Sequence, residues 1–168
     1  MSRPLRALPV ILLLAMVPAL APGSAAATPS TVRLTGAQPS VGMTSVIRDG
    51  RPVRVANLTV SQVEVSCRLS TGARASLPFT ARLRIAPSVG RRSASFRGTD
   101  RSRNHASGAD WHNSSRVAVT VRGKVSRDGA QAAGWLKVRT RGVEVSRGAR
   151  FVSVCSSKWL RWRATPAA

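Results

Sequence analysis

Cysteine, histidine and acidic residues are all scarce in this chain of 168 residues. These residue types supply most metal ligands and most acid–base catalysts, so their scarcity limits the catalytic sites that the chain can form. It has two cysteines, two histidines and six acidic residues. The spacings of the histidines match no compact metal signature, and hydroxyl residues are too common here to make a Ser-His-Asp arrangement distinctive. The sequence therefore predicts no catalytic residue, no metal and no cofactor.

Long apolar runs are missing as well, except at the start of the chain. Arg3 and Arg6 precede an apolar run over residues 7–20, and residues 25–27 are three alanines. These are the three parts of a cleavable export signal, which we predict over residues 1–27. A retained anchor is the less favoured alternative, because the run is short for a membrane span. Residues 28–168 are then expected to form one secreted domain without an integral membrane span.

The two cysteines, Cys67 and Cys155, both lie in the predicted secreted part, 88 residues apart. An isolated cysteine pair in an exported protein most often forms one structural disulfide. Metal binding or a thiol nucleophile would need partner residues that the sequence does not offer. We therefore predict a Cys67–Cys155 disulfide, and an extracellular or cell-envelope location.

Alternation with period two recurs along the secreted part, and no window has the apolar stripe of an amphipathic helix. The turn dipeptides Asp49-Gly50 and Asp128-Gly129 fall between such stretches. Leu58 and Val60 have the opposite parity to Val63 and Val65, so a bulge is predicted near residues 61–62 if both pairs are buried. The sequence thus predicts an all-β fold, an antiparallel β-sandwich or flattened barrel of about eight short strands. The clearest alternating residues are Ala81, Leu83, Ile85, Val117, Val119, Val121, Leu136 and Val138.

Positive charge is the strongest compositional signal. The formal net charge of +21 falls only to +19 when the signal, with Arg3 and Arg6, is removed. Such an excess predicts attraction to polyanions, whether a wall polymer, nucleic acid or an acidic lipid surface. The competing interpretation is that arginine-rich composition follows from a GC-rich genome and has no function.

Residues 97–115 are the longest segment without strand alternation, and we predict a loop there. Loops carry function more often than the framework does. A metal site on His105, Asp110 and His112, a His-Asp pair assisting a serine, and a mobile solvated loop are all open alternatives. A further alternative is contact with an anionic or ring-shaped ligand through Arg101, Arg103, Trp111 and Arg116.

The last residues of the chain alternate basic and aromatic side chains, a pattern that can hold phosphates and stack on rings. Trp159 and Trp162 have opposite parity, so one regular strand cannot bury both on one face. We predict Trp162 in the core and Trp159 exposed or facing a ligand, which makes Trp159 a candidate for ligand binding. The further candidates for ligand binding are the basic residues opposite in parity to apolar ones, namely Arg82, Arg84, Lys137, Arg139, Arg161 and Arg163.

The layout resembles a group of small secreted β-sandwich proteins of actinobacteria that are mostly uncharacterised. The residues that carry the resemblance are Cys67, Ser95-Phe96, Gly134-Trp135-Leu136, Cys155 and Trp162-Arg163-Ala164. The chain departs from that group in being far more basic and in having Ser156-Ser157-Lys158 where a glycine often follows the second cysteine. The resemblance implies export and fold, and it brings no catalytic residues.

Two functions follow as hypotheses. The first is a non-enzymatic secreted protein that binds an acidic polymer or an envelope partner. The alternative is a small secreted hydrolase, or an inhibitor of an enzyme, that acts through residues 97–115.

Overall fold

The computed structural model describes residues 28–37 and 39–167, so the predicted signal over residues 1–27 lies outside the described residues. Every regular element in the described part is a β-strand. The strands are β1 (Ser30–Ala37), β2 (Ser40–Arg48), β3 (Arg51–Leu69), β4 (Arg74–Arg82), β5 (Ser95–Ser107), β6 (Trp111–Val125), β7 (Ala132–Ser146), β8 (Ala149–Ser156) and β9 (Leu160–Pro166). No helix in these residues is long and apolar enough to cross a membrane.

All strand pairs are antiparallel, and the sheet closes on itself. β3 pairs with β2 along its first part and with β8 at its end, while β7 pairs with β9 at its start and with β8 further on. β1 joins β2 to β9, which completes a ring of pairing through β1, β2, β3, β8, β7 and β9. β4 flanks β3, and the β5–β6 hairpin flanks β7. The predicted all-β antiparallel fold is confirmed, with nine strands. We call β1 to β4 the first half of the sheet and β5 to β9 the second half.

The core lies between the two halves and is built from the residues that alternation marked as buried. Leu83, Val119, Val121, Leu136 and Val138 are buried, and Ala81, Ile85 and Val117 pack against them. Their alternating neighbours point outward because successive side chains of a strand face opposite sides. The predicted inward set is therefore confirmed.

A bulge in β3 lets both of its parity sets face the core. Val60 and Val63 are both fully buried, although they are three residues apart. The pairing of β3 with β4 shifts register between them, and Gln62 has a positive φ of 57°. The extra residue rotates the strand by one position, as bulges do. The predicted change of face is confirmed.

Both predicted turn dipeptides join neighbouring strands. Asp49 and Gly50 have φ values of 51° and 67° and link β2 to β3, the geometry of a type I′ hairpin turn. In the β6–β7 turn the Asp128 carboxylate accepts hydrogen bonds from the Ser126 hydroxyl and from the Ala130 N–H, the latter at 3.0 Å. These hydrogen bonds, that of Ser126 first, hold the pKa of Asp128 below its ordinary value.

Cys67 and Cys155 form the predicted disulfide, and they face each other directly across the β3–β8 pairing. Their Cα atoms are 3.9 Å apart and both residues are buried. The covalent bond thus lies where β8 joins the first half of the sheet to the second.

The prediction of a loop over residues 97–115 is wrong. These residues form most of the β5–β6 hairpin, paired without interruption from Ser95 opposite Lys124 to Ser107 opposite His112. Only residues 108–110 connect the two strands. The far end of the hairpin extends past the core, so β5 is largely exposed there on both faces. A strand without a buried face needs no apolar alternation, which is why the far end of this hairpin lacks the pattern.

Candidate functional site

The outer surface of the second half of the sheet carries many of the basic residues of the chain. Leu136 and Val138 of β7 point into the core, so Lys137, Arg139 and Arg141 point outward. The register places each of them beside an outward residue of β6. The outward parity of β5 and β9 is equally clear, because Phe96 and Trp162 are buried.

We call this outer surface the basic face. Its cross-strand rows run from β5 through β6 and β7 to β9. Its basic residues, read strand by strand, are Arg97, Arg101, Arg103, Arg116, Arg122, Lys124, Lys137, Arg139, Arg141, Arg161 and Arg163.

Basic side chains meet one another directly in several of these rows. Arg97 is opposite Arg122, and Arg103 is opposite Arg116, which is in turn opposite Arg141. Like charges directly opposite each other on a sheet are destabilising. The face therefore carries an electrostatic strain that a bound anion would relieve.

None of the six acidic residues lies on the basic face. Glu144 has inward parity on β7, and Asp100 has inward parity on β5, where its carboxylate accepts a hydrogen bond from the Arg84 N–H at 2.8 Å. Glu64 lies on β3 in the first half. The remaining three lie in turns, at Asp49, Asp110 and Asp128. The positive charge of the face is thus not neutralised by neighbouring carboxylates.

Two exposed tryptophans lie among these arginines. Trp135 of β7 is 41% exposed and has Arg122 and Arg161 as its direct cross-strand neighbours. Trp159, just before β9, is 38% exposed, and the Arg122 guanidinium lies 4.6 Å from the centre of its ring. The Lys137 ammonium is 6.0 Å from the same ring. Cation–π attraction holds Arg122 across the face.

Trp162 lies beneath this surface and fixes the geometry of the strands. Its indole is 1% exposed, and its ring reaches toward Phe96, with ring centres 6.1 Å apart. Between them the register places Gly123 and Gly134, and a Cβ at either position would lie 2.8 Å from the indole. The predicted roles of Trp162 in the core and Trp159 at the surface are both confirmed.

The structure brings most of the candidate ligand-binding residues together. Those on the basic face or at its margin are Arg101, Arg103, Arg116, Lys137, Arg139, Trp159, Arg161 and Arg163. Arg82 and Arg84 instead lie at the end of β4 and just beyond it, in the first half, where Arg82 donates a hydrogen bond to Asn57 at 3.4 Å. Trp111, at the start of β6, has inward parity and lies on the opposite side of the hairpin. These three do not belong to the face.

Sequence reasoning missed part of the face. Arg122 and Lys124 alternate with Val121, Gly123 and Val125, so their outward parity is readable from the sequence, and Arg141 continues the row of Lys137 and Arg139. Trp135 has the same outward parity as Lys137, opposite to the buried Leu136, and it is also part of the Gly-Trp-Leu motif. Arg97 has no readable signal, because β5 lacks apolar alternation.

Both histidines lie at the far end of the β5–β6 hairpin. His105 and His112 lie on the same side of the β5–β6 hairpin, with Ser114 and Ser107 as their cross-strand partners, and Asp110 lies in the turn. Among residues 28–37 and 39–167 no three His, Cys, Asp or Glu side chains are grouped so that they could hold a metal ion.

Comparisons with protein-family models, with curated proteins and with solved structures found no match to this chain. The resemblance to small secreted actinobacterial proteins therefore stays a prediction.

Proposed function

We propose that this chain is an exported, non-enzymatic protein that binds an acidic polymer through the basic face. The observation that carries the proposal is the concentration of arginine and lysine on one outer surface from which every acidic residue is excluded. A surface of one sign attracts polyanions and raises their association rate. Residues 28–94 also carry ten arginines, together with Asp49 and Glu64, so what distinguishes the basic face is the absence of carboxylates from it.

Export is the second part of the proposal. The buried disulfide fits an oxidising compartment, in which such bonds form and persist. The arginines, apolar run and alanines of residues 1–27 have the order of a cleavable signal. Outside the cytoplasm the acidic polymers available to the protein are anionic wall polymers and released nucleic acid, and acidic lipid surfaces are a further polyanionic target.

Heparin, a polyanion without aromatic rings, tests the proposal. The test variant replaces Lys137, Arg139, Arg161 and Arg163 of the basic face with Gln. The matched control replaces Arg48, Arg51, Arg82 and Arg84, which are exposed residues of the first half, and removes the same charge. Each lost contact with a polyanion should reduce the salt dependence of binding by about one unit of log–log slope.

We expect the wild type to stay on heparin above about 0.2 M salt, the test variant to elute at lower salt, and the control to elute close to wild type. Equal shifts in both variants would mean that only net charge matters. Failure of the wild type to bind even at low salt would overturn the proposal. No feature of the described residues favours the alternative of a hydrolase or enzyme inhibitor.

A further inference from the structure

The two exposed tryptophans make the basic face more than a charged surface. A patch that holds anions by charge alone needs no aromatic side chain, and large aromatic residues are normally buried. Trp135 and Trp159 are instead exposed among the arginines, with Trp135 directly between Arg122 and Arg161. Exposed rings among cations suit a ligand that has both negative charge and flat rings.

The two rings differ in what already covers them. The Arg122 guanidinium lies over Trp159, so that ring is held in place and one of its faces is engaged. Within the described residues no cationic group lies over Trp135. Trp135 is 41% exposed and has an arginine on each side to hold negative charge.

We propose that the basic face binds single-stranded nucleic acid, with bases stacking on Trp135 and Trp159 and phosphates held by the surrounding arginines. This inference rests on the proposed function and names its ligand. Sheet surfaces bind single strands by this combination of a positive surface and aromatic platforms, with little sequence preference. A duplex does not expose the faces of its bases, so the tryptophans would have nothing flat to stack on.

An acidic lipid surface is the rival ligand for a face of this charge. Next to the basic face, at the end of the sheet near β8, the outward residues become apolar at Val143, Val152 and Val154. Those valines lie apart from both tryptophans, at the other end of β7 from Trp135. The rings are placed among the arginines rather than with the valines, which favours a ligand that carries charge and ring together.

Four anionic probes distinguish single-stranded nucleic acid from the other candidate ligands. They are an oligothymidylate of about 15 nucleotides, an abasic oligonucleotide of the same length, the corresponding duplex, and vesicles containing phosphatidylglycerol. Binding is measured by anisotropy of labelled DNA and by co-sedimentation with vesicles, at about 0.15 M salt. The abasic strand has the same phosphates and lacks only the bases.

We expect oligothymidylate to bind about tenfold to a hundredfold more tightly than the abasic strand, the gain of one or two stacked bases. Trp135→Ala should remove most of that difference and leave abasic binding nearly unchanged, while Trp135→Phe should retain part of it. Trp111→Ala is the matched control, because Trp111 is equally exposed but lies off the face, and it should change neither. Unchanged thermal unfolding of each variant confirms that it folds.

Equal affinity for the oligothymidylate and the abasic strand would overturn this inference, and so would tighter binding to duplex or vesicles than to the single strand. Heparin retention that depends on the basic face would still support the proposed function in those cases. If the wild type does not bind heparin at all, both this inference and the proposed function are overturned.

Discussion

A single methyl group added at Gly134 should destabilise the protein strongly. Gly134 lies on β7 beneath the Trp162 indole, and a Cβ there would lie 2.6 Å from the Gly123 Cα and 2.8 Å from the Trp162 ring, and would overlap the Arg122 carbonyl oxygen. Two of these three obstacles are backbone atoms of the paired strand β6, which cannot move without disturbing the register. Overpacking usually lowers the free energy of unfolding by about 1 to 3 kcal/mol, so we expect about 3 kcal/mol for Gly134→Ala.

Gly142→Ala on the same strand is the matched control. Its added Cβ would lie 2.6 Å from the Ser153 Oγ, and the next atom is 4.0 Å away. The Ser153 hydroxyl is the end of a small, partly buried side chain that can change rotamer, and replacing glycine reduces the freedom of the unfolded chain. We therefore expect Gly142→Ala to change the free energy of unfolding by less than about 1 kcal/mol, in either direction.

Urea unfolding of both variants, followed by tryptophan fluorescence with the disulfide intact, measures the difference. The buried Trp162 should also report a changed environment in Gly134→Ala and an unchanged one in Gly142→Ala. Equal destabilisation of the two variants, or an effect of Gly134→Ala below about 0.5 kcal/mol, would refute the packing of the indole over the glycines.

Further predictions concern the rest of the molecule. Replacing Cys67 and Cys155 together with Ser should lower the free energy of unfolding by about 4 to 5 kcal/mol, on the chain-entropy estimate for this loop, and unchanged urea stability would contradict it. Asp128→Ala should reduce the free energy of unfolding at about pH 7 but much less at about pH 2. The pKa of Asp128 is lower in the folded protein than in the unfolded chain, so its carboxylate stabilises the fold above the unfolded pKa, and that stabilisation is lost as pH falls through the folded pKa. An equal loss at both pH values would contradict this. Hydrogen exchange should be faster over residues 104–113, at the exposed hairpin end, than over residues 119–125, and uniform protection would argue against the extended hairpin.

Much of the fold follows from local patterns. The alternation at Leu83, Val119 and Leu136 predicts which side of each strand is buried, because a side-chain period of two is a property of any strand. The same rule separates Trp162 from Trp159, and the change of parity before Val63 predicts the bulge. These inferences need no knowledge of which strands are neighbours.

The candidate site depends on information that is not local. Parity predicts that Lys137, Arg82 and Arg161 point outward, but only the order of strands decides whether they share a surface. β9 pairs with β7 and brings Arg161 beside Trp135, whereas β4 pairs with β3 and carries Arg82 to the first half. The far end of the β5–β6 hairpin cannot be recognised from alternation, because it has no buried face, whereas Val117, Val119 and Val121 mark the rest of β6.

The central claim is that polyanions bind to the basic face and not to the protein's positive charge in general. The most direct measurement is a titration with heparin followed through the side-chain Nε–Hε NMR signals of individual arginines. We predict that the signals of Arg122, Arg139, Arg161 and Arg163 shift first and together, while those of Arg82 and Arg84 stay unchanged until heparin is in excess. Equal shifts of all six signals, or shifts of Arg82 and Arg84 at lower heparin concentrations than those of the other four, would contradict the claim.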